Sequence, residues 1–225
     1  MTHPLDRPAW SALRTRQHAL ARGNDAALRF DTDFAVFAAI GDESGVALRA
    51  LGALIGETGP AIVLQKDPLP AVPCTWVDRH RLGVQMVAET LTGGADVAFL
   101  ELGDADAAEM LALATLTEPG PFFRRTHRLG GFIGIRDQGR LVAMAGERMK
   151  PAGFTEVSGV CTHPDWRGRG YAGALMRVVA ARIVARGETP FLHAYADNRG
   201  AIALYESLGF RVRCGVHVTV LEPDG

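Results

Sequence analysis

Residues 156–173 read EVSGVCTHPDWRGRGYAG, a strand running into a loop with glycines at alternate positions. The β-branched and small residues of Thr155–Thr162 predict the strand. After Arg167-Gly168-Arg169-Gly170-Tyr171-Ala172, the segment Gly170–Arg186 predicts a helix, with Tyr171, Ala174, Leu175, Val178, Val179 and Ile183 on one face. The two glycines let the backbone turn tightly and approach a ligand. The first N–H groups of the helix have no partner inside it and sit at its positive dipole end. That arrangement is an anion site suited to phosphate, and Arg167 and Arg169 add charge-assisted donors. The same residues also allow a plain glycine-rich turn with solvated arginines.

Gly168, Gly170 and Gly173 also spell G-x-G-x-x-G, the dinucleotide fingerprint, and Asp197 ends the next strand. Against that reading, Pro164–Arg167 separate the strand from the first glycine. The match also falls in the last third of the chain, where no doubly wound sheet can follow it.

The following elements are Phe191–Ala196 as a strand, Asn198–Leu208 as a helix capped by Asn198 and stopped by Gly209, and Phe210–Leu221 as a last strand. Before the loop, Asp96–Leu100 reads as a strand and 105–116 as a helix capped by Asp104. Residues 122–129 read as a short helix, and Phe132–Ile135 with Leu141–Met149 as a hairpin around Asp137-Gln138-Gly139. Nearer the start, 9–22 and 43–55 read as helices, and 34–40, Ala61–Leu64 and Leu82–Ala88 as strands. Residues 68–73 are loop, and Thr92-Gly93-Gly94 is a plausible hinge.

A second half-motif, Asn198-x-x-Ala201-x-x-x-Tyr205-x-x-x-Gly209-Phe210, follows at suitable spacing. Together with Arg167-x-x-Gly170-x-Ala172, it resembles the GNAT superfamily of acyl-CoA-dependent N-acyltransferases over about residues 95–225. The resemblance implies an α/β (α+β) fold: a mixed, mostly antiparallel sheet flanked by helices and splayed between two central strands. It implies that Arg167, Gly168, Arg169, Gly170, Tyr171 and Ala172 grip the pyrophosphate of acetyl-CoA as cosubstrate. The pantetheine arm would lie in the splay, bonded by backbone near Val160, Cys161 and Thr162, with Asn198 beside it or serving as a helix cap. Gly159 suits the bulge that a splay needs. Tyr205 would protonate the leaving thiolate, or else pack as a core tyrosine. Glu156, partly exposed in an open cleft, would be the general base, or else an exposed strand glutamate. His193 and Tyr195 alternate on the neighbouring strand, facing substrate or core.

The expected activity is acetyl transfer to a primary amine by direct attack in a ternary complex, the acceptor being a small molecule or a peptide N-terminus. The alternative is a non-catalytic acyl-CoA-binding module. Residues 1–94 would form a smaller α/β half before the catalytic 95–225. Their order loosely echoes the start of the second half, as in the glycine N-acyltransferase-like group, where a decayed copy precedes the active one.

Composition sets outer bounds. The chain has 225 residues, 48% hydrophobic and 22% charged, with net charge −1. Such a balance gives no electrostatic footprint for nucleic acid or membrane. Cys74, Cys161 and Cys214 are an odd, widely spaced set, which points to a reducing, cytoplasmic setting rather than a disulfide framework. No signal-peptide pattern opens the sequence. The pairs Cys161/His163 and Cys214/His217 do not make a four-ligand metal set, so no metal is expected. Oligomeric state is left open.

Overall fold

The computed structural model describes residues 3–91 and 97–224. The hinge expected at Thr92-Gly93-Gly94 and the strand start expected at Asp96 lie outside them. In chain order the elements begin with α1 (Pro8–Arg14), β1 (Ala21–Gly23), β2 (Ala27–Phe30), β3 (Phe37–Ile40) and α2 (Gly45–Thr58). They continue with β4 (Ala61–Gln65), β5 (Thr75–Ala88), β6 (Leu100–Leu102), α3 (Ala107–Thr117), β7 (Phe132–Asp137) and β8 (Arg140–Glu147). The last are β9 (Phe154–Thr162), α4 (Tyr171–Ala185), β10 (Thr189–Tyr195), α5 (Arg199–Ser207) and β11 (Phe210–Pro223).

Several ends differ from the sequence reading, each for a local reason. The helix expected over 9–22 stops at Arg14, and Gln17 turns inward to hold the Arg148 carbonyl at 2.8 Å. The helix expected to be capped by Asp104 starts at Ala107 instead. Asp104 accepts from His127 and Arg128, while Asp106 accepts from the Gly103 N–H at 3.0 Å. Asn198 does cap its helix, accepting from the Ala201 N–H at 3.2 Å.

The strands form one sheet in the order β1-β2-β3-β4-β11-β5-β10-β9-β8-β7-β6. Only β3/β4 and β10/β9 are parallel; the other neighbours run antiparallel. This is a mixed, mostly antiparallel α/β fold. Its halves repeat a theme: β3–α2–β4 and β9–α4–β10 are both strand–helix–parallel strand units. The last strand of each series crosses over. β11 lies against β4, and β5 lies against β10. The two crossed strands pair with each other from Phe210↔Ala88 to Pro223↔Thr75.

Side chains alternate across the sheet, so each face buries its own helices. Phe37 and Ala39 pack with Ala9, Ala12 and Leu13 of α1, whereas Ala38 and Ile40 pack with Leu51 and Ile55 of α2. Met144 meets Met110 and Leu113 of α3, whereas Ala143 and Ala145 meet Leu175 and Val179 of α4.

Two features of β9 position the site. Met144 pairs with Cys161 and Gly146 with Ser158, so two residues of β9 face one of β8. That is a bulge, and Gly159 within it has φ +62°, where L side chains are strained. Beside it, β9 pairs with β10 only from Phe154 to Glu156. Past Glu156 the two strands part.

Candidate active site

A cleft of about 490 Å³ lies at the far end of β9, past the point where it leaves β10. Its lining includes Cys161 and Thr162 of β9, the whole run Arg167–Gly173, Arg177 of α4, Leu204 of α5, and Thr117 at the end of α3. Gly168 and Gly170 both have φ +77°. A Cβ at either would meet no atom within 4 Å, so conformation rather than crowding demands glycine there. Gly170 caps α4 in the left-handed region, which aims the first helical N–H groups into the cleft. Three arginines, Arg167, Arg169 and Arg177, share this wall. Thr162 Oγ1 is buried with no hydrogen-bond partner among the described residues. An unmet polar atom, a positive helix end and arginine donors all suit an extended ligand carrying phosphate at one end.

A solved structure of a GNAT-family protein from Novosphingobium aromaticivorans DSM 12444 is 43% identical to this chain, covering 100% of both, with a TM-score of 0.91. The chain belongs to the GNAT family. The profile of the FR47-like protein family matches residues 132–218 of this GNAT chain. A GCN5-related N-acetyltransferase from Kribbella flavida shares the fold at 17% identity, with a TM-score of 0.64 over 97% of this chain and 96% of that one. The N-alpha-acetyltransferase RimI of Mycobacterium tuberculosis (strain ATCC 25618 / H37Rv) is 36% identical over 84 residues. Those residues are 36% of this chain and 51% of RimI, so the match spans about half the length of that relative. GNAT acetyltransferases use acetyl-CoA, and the cleft described above fits it.

The residues named from sequence separate into groups. Cys161, Thr162, Arg167, Gly168, Arg169, Gly170, Tyr171 and Ala172 line the cleft together. Val160 is half-buried against the core beside α4. Asn198 caps α5, as described. Tyr205 follows Leu204 on α5 and packs its ring against the same core. Its hydroxyl has no hydrogen-bond partner among the described residues, and burial pushes its pKa up, so it holds its proton. Burial pushes the Cys161 thiol up to about 11, against the opposing bond to Thr117. The thiol is therefore no ready nucleophile at neutral pH.

Glu156 is a correction. Expected partly exposed, it is 1% exposed. Arg148 donates to it through Nε at 2.9 Å and Nη2 at 2.8 Å, and His193 Nδ1 lies 2.7 Å away. Burial alone would raise its pKa. The charge and hydrogen bonds of Arg148, with His193, outweigh that and hold the carboxyl well below the usual range. A carboxylate so held is a weak base. His193 is tied as well. Gln85 Nε2 donates to the Leu5 carbonyl and approaches His193 Nε2 at 3.0 Å, while Gln85 Oε1 accepts from Arg213. Flipping the amide would break both outer bonds, so Nε2 of His193 accepts and Nδ1 donates to Glu156.

Sequence reasoning missed Thr117, Trp166, Gly173, Arg177 and Leu204 as lining residues. Gly173 and Arg177 follow Gly170 at helical spacing, a signal that was present. Thr117 comes from a distant helix end and left none.

Replacing Arg167 by Ala removes a charged donor from the phosphate end. A hydrogen bond to a charged group contributes about 1.5–3 kcal/mol, so CoA affinity should fall roughly 10- to 150-fold. Calorimetric titration with CoA checks this, and the thermal midpoint should stay within a few degrees.

Proposed function

We propose that this protein transfers an acetyl group from acetyl-CoA to a primary amine by direct attack in a ternary complex. The observation that carries the reading is the splay between β9 and β10, opening onto a glycine–arginine loop at the start of α4. In this reading Arg167, Gly168, Arg169, Gly170, Tyr171 and Ala172 hold the pyrophosphate. Backbone near Val160, Cys161 and Thr162 holds the pantetheine, and Asn198 steadies the start of α5 beside it. The bulge takes a residue of β9 out of its ladder, which supports the Val160 N–H as donor to the thioester oxygen.

The amine nitrogen attacks the thioester carbon, a C–N bond forms and the C–S bond breaks. Tyr205 gives its proton to the departing thiolate and regains one from solvent. The acceptor ammonium first loses one proton to water to give the neutral amine that attacks, and the second N–H proton leaves to water as the amide forms. Glu156 stays paired with Arg148 and takes neither proton. The high thiol pKa of Cys161 supports direct attack over an acyl-cysteine. RimI is named for N-alpha acetylation, so peptide N-termini join small amines as acceptors to try. The free thiols at Cys74, Cys161 and Cys214 support a reducing, cytoplasmic setting. We read residues 1–94 as a copy that lost its phosphate site. β3–α2–β4 supports this, and its turn carries Asp42 and Glu43 where the second half has arginines.

Incubation with acetyl-CoA and a panel of amines and short peptides, following free thiol, tests the reading. Amine-dependent thiol release is expected. CoA binding without release for any acceptor would leave a non-catalytic acyl-CoA-binding module.

A further inference from the structure

Arg148 has an edge that its ion pair does not use. Nε and Nη2 are both spent on Glu156. The guanidinium sits over the Phe37 ring at 4.6 Å, the backbone N–H donates to the Glu156 carbonyl, and Gln17 holds the backbone carbonyl. The head group is therefore fixed in place. Nη1 has no acceptor among the described residues, and the side chain keeps 10% of its surface open. A guanidinium carries five N–H donors, and the two on Nη1 lie at the open part of the side chain, where a ligand can take them.

The position of Nη1 gives this a meaning. A Cβ on Gly120 would lie 4.0 Å from it, so Nη1 faces the loop between α3 and β7. The same loop carries Phe122, edge-on to Phe132 with ring centroids 5.6 Å apart. The Phe122 ring is 3.7 Å from where a Cβ on Gly159 would sit. One short loop thus runs from Arg148 to the β9 bulge. Gly120 and Phe122 are two residues apart, at most about 7 Å of chain.

We propose that Arg148 Nη1 binds a carboxylate of the acceptor, so that the acceptor is an amine that also carries a carboxylate a short chain away. The amine lies at the bulge and the carboxylate on the free edge of the guanidinium. Glu156 satisfies the other edge and keeps that arm aimed. A plain alkylamine leaves Nη1 unmatched. This inference rests on the acetyl-transfer reading above.

The test compares acids with their own amides, which differ in charge and not in length. The pairs are glycine and glycinamide, β-alanine and β-alaninamide, 4-aminobutyrate and 4-aminobutanamide, and the dipeptides Asp-Ala-amide and Asn-Ala-amide. In the unaltered protein at least one acid should exceed its amide in kcat/KM on the order of 10- to 100-fold, as a charge-assisted bond implies. Arg148→Ala would strand Glu156, so Arg148→Lys is the informative variant. It keeps a cation beside Glu156 and loses the second arm. Its acid-to-amide ratio should fall to near one. Calorimetry of the same pairs on the CoA complex of the unaltered protein needs neither turnover nor substitution. Acids that bind through Arg148 without thiol release would sink acetyl transfer and keep this inference. Amides equal to acids in every pair, in rate and in binding, would overturn it, as would a ratio unchanged in Arg148→Lys.

Discussion

Glu156→Gln should melt roughly 6–20 °C below the unaltered protein at pH 7. The carboxylate is fully buried and takes both forked donors of Arg148. Glutamine offers one carbonyl oxygen and turns an N–H₂ group toward the guanidinium, leaving a buried cation without its counter-charge. Breaking a buried pair by removing one partner costs about 3–5 kcal/mol. For a chain of this size each kcal/mol is worth about 2–4 °C. The pH dependence has a definite sign. The folded-state pKa of Glu156 lies below its ordinary 4.5. Its contribution is therefore complete above the unfolded value and is lost as pH falls through the folded one. The gap between the two proteins should be widest near neutrality and should narrow below pH 4.5. Thermal melts at pH 7 and pH 3 check both statements. Equal midpoints at pH 7 would mean that Arg148 finds another acceptor.

Tyr205→Phe should lower turnover toward the lower end of roughly 10²- to 10⁴-fold, the range for a positioned proton donor. A CoA thiolate is already a fair leaving group, which sets the lower end. The ring stays packed against the core beside α4, so stability should hold. CoA affinity should also hold, because Arg167–Ala172, the residues proposed to hold the phosphates, are untouched by the change. Steady-state rates with one good acceptor, alongside CoA titration, separate the two quantities. Unchanged turnover, with chemistry shown to limit the rate, would return Tyr205 to the core.

The phosphate loop was legible from residues alone because its requirements are local. Positive φ at Gly168 and Gly170, and a helix beginning at Tyr171, follow from neighbours in sequence. The bulge at Gly159 was legible for the same reason. The state of Glu156 was not, because Arg148, His193 and Gln85 come from three other strands or strand ends. Strand β2 was missed for a related reason. Arg29 in its middle reads as a surface residue, yet it is buried. Its guanidinium donates to Thr58, Gly59 and Pro60 at the negative end of α2. The first half of β5 was missed because it runs past the end of β10. Its side chains from Trp76 to His80 are exposed, so no alternation marks them.

The crossed strands β5 and β11 tie the halves of the chain into one folding event. His80 and His217 are 137 positions apart, yet their rings are hydrogen-bonded across this pair. Residues 61–65 have no partner on one side until residues 217–221 have been synthesised. The sheet's centre is thus its most non-local part, and closing it carries the entropy of a very long loop. A cut between residues 91 and 97 would not release an independent catalytic fragment. It would leave two pieces, each holding a strand that the other requires, and complementation between them would be the route back to a working cleft.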